Sequence, residues 1–131
     1  GKGGIGKSTI ACNLSIALTE VGERVFQIGC SANSDSTSLL LGGKLLRPTI
    51  MDQVMEGKIN KPFMNECICE GYRGILCAEV GNPDPTEGCF GRGILLALEL
   101  ITRHRVLEEK AITFLIYDVI GDVVCGGFAM P

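Results

Sequence analysis

The residues that open the sequence, GKGGIGKS, constrain the fold more than any other stretch. They match the pattern G-x-x-x-x-G-K-[ST], in which a glycine-rich loop places backbone N–H groups around phosphates. The loop contains four glycines, Gly1, Gly3, Gly4 and Gly6. Because glycine has no Cβ, the backbone can approach an anion closely at these positions. Lys7 supplies a charge for the β- and γ-phosphates, and the Ser8 hydroxyl is suited to Mg²⁺. We therefore predict a nucleotide-phosphate site here, which also includes Lys2 and Ile5.

A helix is predicted directly after the loop, over residues 8–21, with its N-terminus facing the phosphates. Apolar residues recur at helical spacing on one face of it: Ile10, Leu14, Ala17, Leu18 and Val21. Residues 24–30 then read as a short buried strand. A polar stretch, 31–37, follows at its carboxyl end, where open α/β sheets bind ligands. In that stretch Asp35 and Ser36 are candidates to cap a short run at 38–41, and a nucleotide-side role for Asp35 is equally open.

The rest of the chain continues the alternation of helices and strands. We predict a helix over 50–56, an edge strand over 66–70, a buried strand over 75–80 and a helix over 94–102. The apolar run 111–118 ends in Asp118, as in a Walker B strand that delivers a carboxylate to the magnesium-bound water. This order predicts an α/β fold of the P-loop NTPase type, with a mostly parallel sheet flanked by helices on both faces.

Seven cysteines are many for a chain of 131 residues. Their number is odd and the phosphate loop favours a reducing compartment, so a disulfide framework is not expected. A zinc site at Cys67, Cys69 and Cys77 is disfavoured, because the spacing is not C-x₂-C and no histidine lies near. Cys89 differs, because a glycine-rich loop just before a helix surrounds it with N–H donors that favour a thiolate. Cys125 is also flanked by glycine, seven residues after Asp118.

Composition narrows the class of protein further. The net charge of −3 argues against nucleic acid as a partner, and no apolar run reaches the ~18 residues of a membrane span. We therefore expect a cytoplasmic protein with no membrane partner. A phosphate loop normally follows a β-strand, yet this sequence starts at the loop. The expectation is a single partial P-loop domain over 1–131, with its first strand and its C-terminal part missing.

Four segments together resemble the nitrogenase iron protein (dinitrogenase reductase) family. They are GKGGIGKST, the segment from QIGC to SDST, GCFGRG and YDVIGDVVCGGFAMP, and the resemblance runs from end to end. It implies a homodimer that shares one [4Fe–4S] cluster, ligated by Cys89 and Cys125 of each chain. Two loop cysteines cannot complete a four-thiolate cluster, whereas a two-fold dimer supplies four.

The same resemblance assigns roles around the nucleotide. Lys2, Lys7, Ser8 and Thr9 would bind MgATP, with Lys2 as the signature lysine of a deviant Walker A loop that reaches the partner chain's nucleotide. Asp118 and Asp122 would form the switch between the nucleotide and the cluster. Asp35 would lie near the magnesium ion, and Arg92 on the face that docks the electron acceptor.

The sequence departs from the family pattern after the first strand. Where the family reads G-C-D-P-K-[AS]-D-S-T, this chain has Ser31 and Asn33 in place of the aspartate and the lysine. A serine is uncharged at neutral pH and is a poor general base. We therefore hypothesise that hydrolysis or its coupling is impaired while nucleotide and cluster binding survive.

The resemblance implies an ATP-dependent reductase. MgATP binding and hydrolysis would gate the transfer of single electrons from the cluster to a dinitrogenase, with ferredoxin or flavodoxin as the electron donor. Two alternatives stay open: the reductase component of a tetrapyrrole reductase system, and a non-redox partitioning or positioning ATPase. The second has no need of Cys89 and Cys125.

Overall fold

A computed structural model of the chain describes residues 6–30, 35–81 and 91–119, with the side chains of 91–94 excepted. Its helices are α1 (Lys7–Glu20), α2 (Ile50–Met55), α3 (Lys61–Glu66), α4 (Gly91–Arg103) and α5 (Val106–Glu109). Its strands are β1 (Val25–Cys30), β2 (Cys69–Glu70), β3 (Leu76–Glu79) and β4 (Phe114–Val119). Two 3₁₀ turns, Ser38–Leu41 and Tyr72–Gly74, complete the elements of the described ranges.

The strands form one sheet in the order β2-β3-β1-β4. β1 runs parallel to β3 on one side and to β4 on the other, while β2 is an antiparallel edge strand. The register places Gly29 of β1 between Glu79 of β3 and Asp118 of β4. The predicted α/β fold with a mostly parallel sheet is therefore confirmed, and the carboxyl ends of three strands meet at one edge.

Helices cover both faces of this sheet, because successive residues of a strand point to opposite sides. One face packs against α2, α3, α4 and α5 through a large apolar cluster that includes Phe26, Ile28, Ile50, Met64, Leu100 and Ile101. The other face packs against α1 and the Ser38–Leu41 turn through a smaller cluster that includes Ala11, Cys12, Leu40, Cys77 and Ile116. Within the described helices, none is both long and apolar enough to cross a bilayer.

The helix after the loop forms where predicted, but the side that packs against the sheet is not the apolar one. Ile10, Leu14 and Val21 are exposed, while Ala11, Cys12 and Ser15 are buried. The reason lies in the sheet beneath, where Gln27 of β1 is fully buried and accepts a hydrogen bond from the Ser15 hydroxyl at 2.7 Å. A small polar residue satisfies that amide, whereas a leucine in its place would leave it without a donor.

Two further local predictions need correction. Residues 66–70 do not form an edge strand throughout, because α3 occupies 61–66 and only Cys69 and Glu70 pair with β3. Pro62 suits the start of that helix, whose Met64 is buried in the core. The 3₁₀ turn follows Thr37, whose side chain makes no capping hydrogen bond, and the Ser36 hydroxyl donates elsewhere, so Ser36 does not cap the turn as predicted, while capping by Asp35 stays a prediction. The Ser36 hydroxyl is instead used in the site described below.

The remaining predicted elements are confirmed with shifted ends. Helix α2 begins at Ile50 behind a capping box made by Thr49 and Asp52. Strand β3 is shorter by one residue at each end than predicted, β4 begins three residues later, and α4 begins three residues earlier, at Gly91. Such differences are ordinary for element ends, where hydrogen bonding frays.

Candidate functional site

Of the predicted phosphate-binding residues, Gly6, Lys7, Ser8 and Thr9 are described, and they lie at the N-terminus of α1, with Lys7 and Ser8 beside Asp118 at the carboxyl end of β4. Gly6 precedes the helix with φ of 69°, a left-handed conformation that suits glycine, and its carbonyl accepts the first helical bond from Ile10 N–H at 2.9 Å. The first turn of α1 contains no acidic residue. The free N–H groups and the positive end of the helix dipole therefore face an anion with no competing carboxylate on the same turn.

Asp118, at the end of β4, joins the two parts of the predicted site. Its Oδ2 accepts hydrogen bonds from the Ser8 hydroxyl at 2.5 Å and from the Ser36 hydroxyl. Its Oδ1 accepts no hydrogen bond within the described ranges, but it lies 3.5 Å from the Lys7 ammonium. The carboxylate is buried at 3% exposure. The fold thus brings together Lys7, Ser8 and Asp118, although their roles toward nucleotide and metal stay predictions.

A second buried carboxyl, Glu79, was not predicted. It ends β3 as Asp118 ends β4, and it is fully buried. Its Oε1 accepts hydrogen bonds from the backbone N–H and the hydroxyl of Thr37, both at 2.8 Å. Its Oε2 has no donor among the described residues. Burial raises the pKa of Glu79, the bonds from Thr37 oppose that rise, and the nearby charges of Asp35 and Asp118 add to it.

Gly29 makes room for this carboxyl in the centre of the row. A Cβ on Gly29 would lie 2.3 Å from Glu79 Oε2 and 2.4 Å from Ser36 Cβ, closer than real contacts allow. The Glu79 side chain therefore folds across β1 because the central strand carries no side chain at that position. The result is a buried row of Glu79, Gly29 and Asp118 with Ser36 packed against it.

A second buried polar network is centred on Gln27, two residues before Gly29 on β1. Gln27 Nε2 donates to the Ser36 carbonyl at 3.4 Å, and the Cys12 thiol donates to the same carbonyl at 3.4 Å. Ser15 completes the network through Gln27. Burial raises the pKa of Cys12, so its thiol stays protonated at neutral pH and is available as this donor. Helix α1, strand β1 and the segment that carries Ser36 are thereby held together behind the site.

Other predicted residues lie at the rim of the site or outside the described ranges. Thr9 and Asp35 are exposed, and Arg92 lies in the first turn of α4. Ten predicted or discussed residues fall outside the described ranges: Gly1, Lys2, Gly3, Gly4, Ile5, Ser31, Asn33, Cys89, Asp122 and Cys125. Across 6–30, 35–81 and 91–119, no group of three histidines, cysteines or carboxylates is placed to hold a metal ion.

The geometry of the described cysteines explains why no such group forms. The Cys67 thiol is buried on the α2–α5 side, within hydrogen-bonding distance of the Thr49 and Phe63 carbonyls. Cys77 is buried in the cluster on the opposite face of the sheet, and Cys69 is exposed. The three thiols considered for zinc therefore do not converge.

Glu79 had a sequence signal of the same kind as Asp118. Both are acidic residues in the final positions of apolar runs, 75–80 and 111–118. A charged residue is rarely fully buried without a partner, so a strand that carries one at its carboxyl end marks a ligand-side edge. Asp118 is predicted from that signal, and Glu79 shares it.

Comparison with known proteins gives the family directly. The family described as "4Fe-4S iron sulfur cluster binding proteins, NifH/frxC family" matches residues 1–131. The chain is 48% identical over 131 residues to "Nitrogenase iron protein 2" of Paenibacillus durus, covering 100% of this chain and 44% of that protein. It is 47% identical over 131 residues to "Nitrogenase iron protein" of Methanospirillum hungatei JF-1, covering 100% of this chain and 45% of that protein.

A solved structure gives the fold independently. A cobyrinic acid a,c-diamide synthase from Mycobacterium smegmatis, determined with a bound ATP analogue and magnesium, superposes with a TM-score of 0.56 at 20% identity. The superposition covers 89% of this chain and 47% of that one. At this identity the likeness concerns the fold alone. The chain spans a little less than half the length of the relatives it matches.

Proposed function

Because the chain belongs to the NifH/frxC family of 4Fe–4S iron–sulfur cluster binding proteins, we propose that it is part of an ATP-dependent reductase of the nitrogenase iron protein type. In this proposal MgATP binding and hydrolysis gate the transfer of single electrons to a dinitrogenase partner. The observation that carries the proposal is the contact of Asp118 with both Lys7 and Ser8, across 110 residues of sequence.

The donor set at this contact fits a magnesium nucleotide. Mg²⁺ takes oxygen ligands, usually one or two protein groups together with phosphates and waters. The Ser8 hydroxyl and the Asp118 carboxylate supply such oxygens beside the N-terminus of α1, and Lys7 supplies a cation for phosphate. Oδ1 of Asp118 accepts no hydrogen bond from the described residues and has only the Lys7 ammonium near it, which is consistent with a site that completes its coordination when ligand is present.

Three side chains of this chain would change their contacts when the nucleotide binds. Lys7, now 3.5 Å from Asp118, would move its charge toward phosphate, and the Ser8 hydroxyl would turn its oxygen toward the metal. Of its three contacts with side chains of this chain, Asp118 would then keep only the hydrogen bond from Ser36. We propose that this change of partners is what β4 transmits toward Asp122 and Cys125, four and seven residues further on.

The cluster ligands are proposed from sequence and family. Cys89 and Cys125 would hold one [4Fe–4S] cluster at the interface of a homodimer, and the cluster would supply a one-electron donor when bound. Four of the five described cysteines are poor candidates, because Cys12, Cys30, Cys67 and Cys77 are buried within the fold. Lys2 would act across the same interface, and Arg92 would contact the electron acceptor.

Ser31 and Asn33 bear on the rate of hydrolysis. In the sequence they come one and three residues after Cys30, the last residue of β1. Neither side chain can serve as an anionic base for water. We propose that this protein binds MgATP but hydrolyses it slowly, and a hydrolysis rate equal to that of relatives with aspartate and lysine there would contradict the proposal.

The first test is the iron and acid-labile sulfide content of the full-length protein that carries this chain, purified without oxygen. We expect about four of each per dimer, lost in Cys89→Ala and retained in Cys69→Ala. Cys69 is a matched control because it is an exposed cysteine of the same chain. No iron in any of the three proteins would contradict the reductase proposal.

The electron acceptor is tested separately. The iron-loaded protein is mixed with a dinitrogenase protein or with the catalytic component of a tetrapyrrole reductase, and oxidation of its cluster on addition of MgATP is followed by absorbance. Oxidation with the dinitrogenase alone is expected. Oxidation with the tetrapyrrole enzyme alone would replace the proposed partner and keep the reductase.

A further inference from the structure

Two thiols face each other across the edge of the sheet, away from the nucleotide site. Cys69 of β2 and Cys77 of β3 are direct partners in the antiparallel register. Cys69 is exposed and Cys77 is fully buried, and both are free thiols. Directly opposed residues of antiparallel strands point to the same face of the sheet. The pairing therefore combines one accessible sulfur with one protected sulfur.

The spacing of such a pair suits a disulfide bond. Opposed residues of antiparallel strands have Cα atoms about 4.5 or 5.5 Å apart, within the range of roughly 4.4–6.8 Å found for disulfides. A tight hairpin fixes this register, since the Gly71 N–H donates to the Ile75 carbonyl at 2.7 Å. A Cβ on Gly71 would lie 3.2 Å from the Cys77 sulfur, so the turn itself packs against the buried thiol.

A cavity gives a small reagent access to the exposed thiol. It has a volume of about 480 Å³ and is lined by Cys69 together with Leu40, Leu46, Glu66 and Gly71. No residue that we propose for the nucleotide or the cluster lines it. The two thiols are therefore chemically separate from the proposed function.

We propose that Cys69 and Cys77 are a reversible oxidation site, which closes as a cross-strand disulfide on exchange with a low-molecular-weight disulfide such as oxidised glutathione. In the first step the Cys69 thiolate attacks one sulfur of the reagent, breaks its S–S bond and releases one small thiolate. In the second step Cys77 gives its proton to solvent and attacks the Cys69 sulfur, which releases the second thiolate. Two protein thiols are oxidised and one small disulfide is reduced to two thiols.

Burial fixes the order of these steps. Burial raises the pKa of the Cys77 thiol to about 12, and the proximity of Cys69 adds to the rise. The thiolate is the attacking species in exchange, so Cys77 is a poor first nucleophile and is out of reach of the reagent. Cys69 therefore reacts first, and closure onto Cys77 is the slower step. A pair that exchanges in this way is compatible with a reducing compartment, where disulfides are transient.

The experiment uses the full-length protein, kept free of oxygen and treated with oxidised glutathione. After free thiols are alkylated, the protein is cleaved with trypsin and with a protease that cuts after glutamate. Cleavage at Glu66, Glu70, Arg73 and Glu79 releases the short peptides 67–70 and 74–79. We expect these two peptides joined by a bond that a reducing agent breaks, and fragmentation that places the bond at Cys69 and Cys77.

Three variants test the assignment. Cys69→Ser should lower the joined species at least about tenfold, because the accessible attacking thiol is gone. Cys67→Ala is the matched control: its thiol lies two residues away on the other face of the sheet, and the joined species should persist. Cys77→Ala should leave Cys69 as a stable mixed disulfide with glutathione.

Other patterns of oxidation would overturn the proposal. Glutathione that stays on Cys69 in the wild-type protein, without closure, would show that the strands do not bring the two sulfurs together. A bond from Cys69 to Cys67, Cys89 or Cys125 would show a different partner. If Cys67→Ala does not fold, fragmentation of the wild-type peptide 67–70 still distinguishes its two cysteines.

Discussion

The two faces of the sheet are built from alternate residues of the same strands, yet they differ in chemistry. On β1, Phe26 and Ile28 enter the apolar cluster beneath α2–α5, whereas Gln27 and Gly29 face α1. On β4, Tyr117 packs against the apolar cluster and Asp118 faces the candidate site. The period of two in a strand lets one short segment serve a core on one side and a site on the other.

The two faces therefore contribute to the stability of the fold in different ways. The α2–α5 face buries mainly large apolar side chains, a favourable contribution proportional to apolar area. The α1 face buries Gln27, Glu79 and Asp118, and each must be compensated by hydrogen bonds. Among the residues that the structure describes, the Gln27 oxygen accepts a hydrogen bond, whereas Oε2 of Glu79 accepts none and Oδ1 of Asp118 has only the Lys7 ammonium, 3.5 Å away. Substitutions on the two faces should therefore affect different quantities.

The largest effect is expected on the apolar face. Phe26→Ala removes a fully buried ring from the centre of the sheet, which should lower the free energy of unfolding by about 3–5 kcal/mol. Phe114→Ala is the matched control, because Phe114 lies on the neighbouring strand β4 and is 44% exposed. Chemical denaturation of the two variants in the full-length protein measures the difference. If both variants lose the same free energy of unfolding, the fully buried ring of Phe26 and the partly exposed ring of Phe114 contribute equally to stability. That result would contradict the proposed importance of the buried apolar cluster.

The second effect is expected on the site face and should appear in nucleotide binding. Asp118→Asn removes the charge that Lys7 and Ser8 contact, and loss of such a supporting carboxylate typically weakens metal binding about 10–100-fold. We expect a fall of that size in the affinity for MgATP, measured with a fluorescent ATP analogue. Tyr117→Phe is the control, because Tyr117 is the adjacent residue and faces the opposite cluster. An equal loss in both variants would indicate disturbance of β4 in place of a direct role for Asp118.

The sequence predicted the strands and the grouping of the candidate site residues better than it predicted how the helices pack. Lys7, Ser8 and Asp118 were identified because phosphate chemistry restricts residue type and spacing, and such restrictions are visible in a single chain. The strands were located because buried parallel strands are continuous apolar runs. These features depend on local sequence. In the fold, Ser8 and Asp118 lie together at the carboxyl edge of the sheet.

The failures share one physical cause, which is that tertiary partners overrode local pattern. The apolar positions of α1 predicted its inner face, but the buried amide of Gln27 selects Ser15 and Cys12 there. Residues 61–66 became a helix because Met64 reaches the core from it, although the alternation at 66–70 favoured a strand. Glu79 is a different case: its place at the end of an apolar run was a local signal, but the partners that accommodate it, Thr37 and Gly29, lie 42 and 50 positions away in sequence.

The smallest effect should be a change in how stability depends on pH, caused by Glu79. Burial raises the pKa of Glu79 above the value of about 4.3 that an exposed glutamate has in the unfolded chain. Between these two values the folded protein binds more protons than the unfolded one, so stability falls as pH rises. The slope from one such group is at most about 1.4 kcal/mol per pH unit. Glu79→Gln should remove this decline, as measured by denaturation from pH 4 to pH 8.

Glutamine is a suitable replacement because it keeps the bonds from Thr37 while it removes the charge. Its amide oxygen can accept from the Thr37 N–H and hydroxyl, and its NH₂ group would occupy the position of Oε2. Glu70→Gln on the neighbouring edge strand is the control, since Glu70 is exposed and should leave the profile unchanged. If stability of Glu79→Gln still falls with rising pH as in the wild type, ionisation of Glu79 is not the cause of that fall. The Oε2 atom, which has no donor among the described residues, would then not be what destabilises the α1 face. If the variant is instead less stable than the wild type toward pH 8 but not toward pH 4, the charge of Glu79 is compensated by neighbours in the site, and the two faces of the sheet are more alike than their contacts indicate.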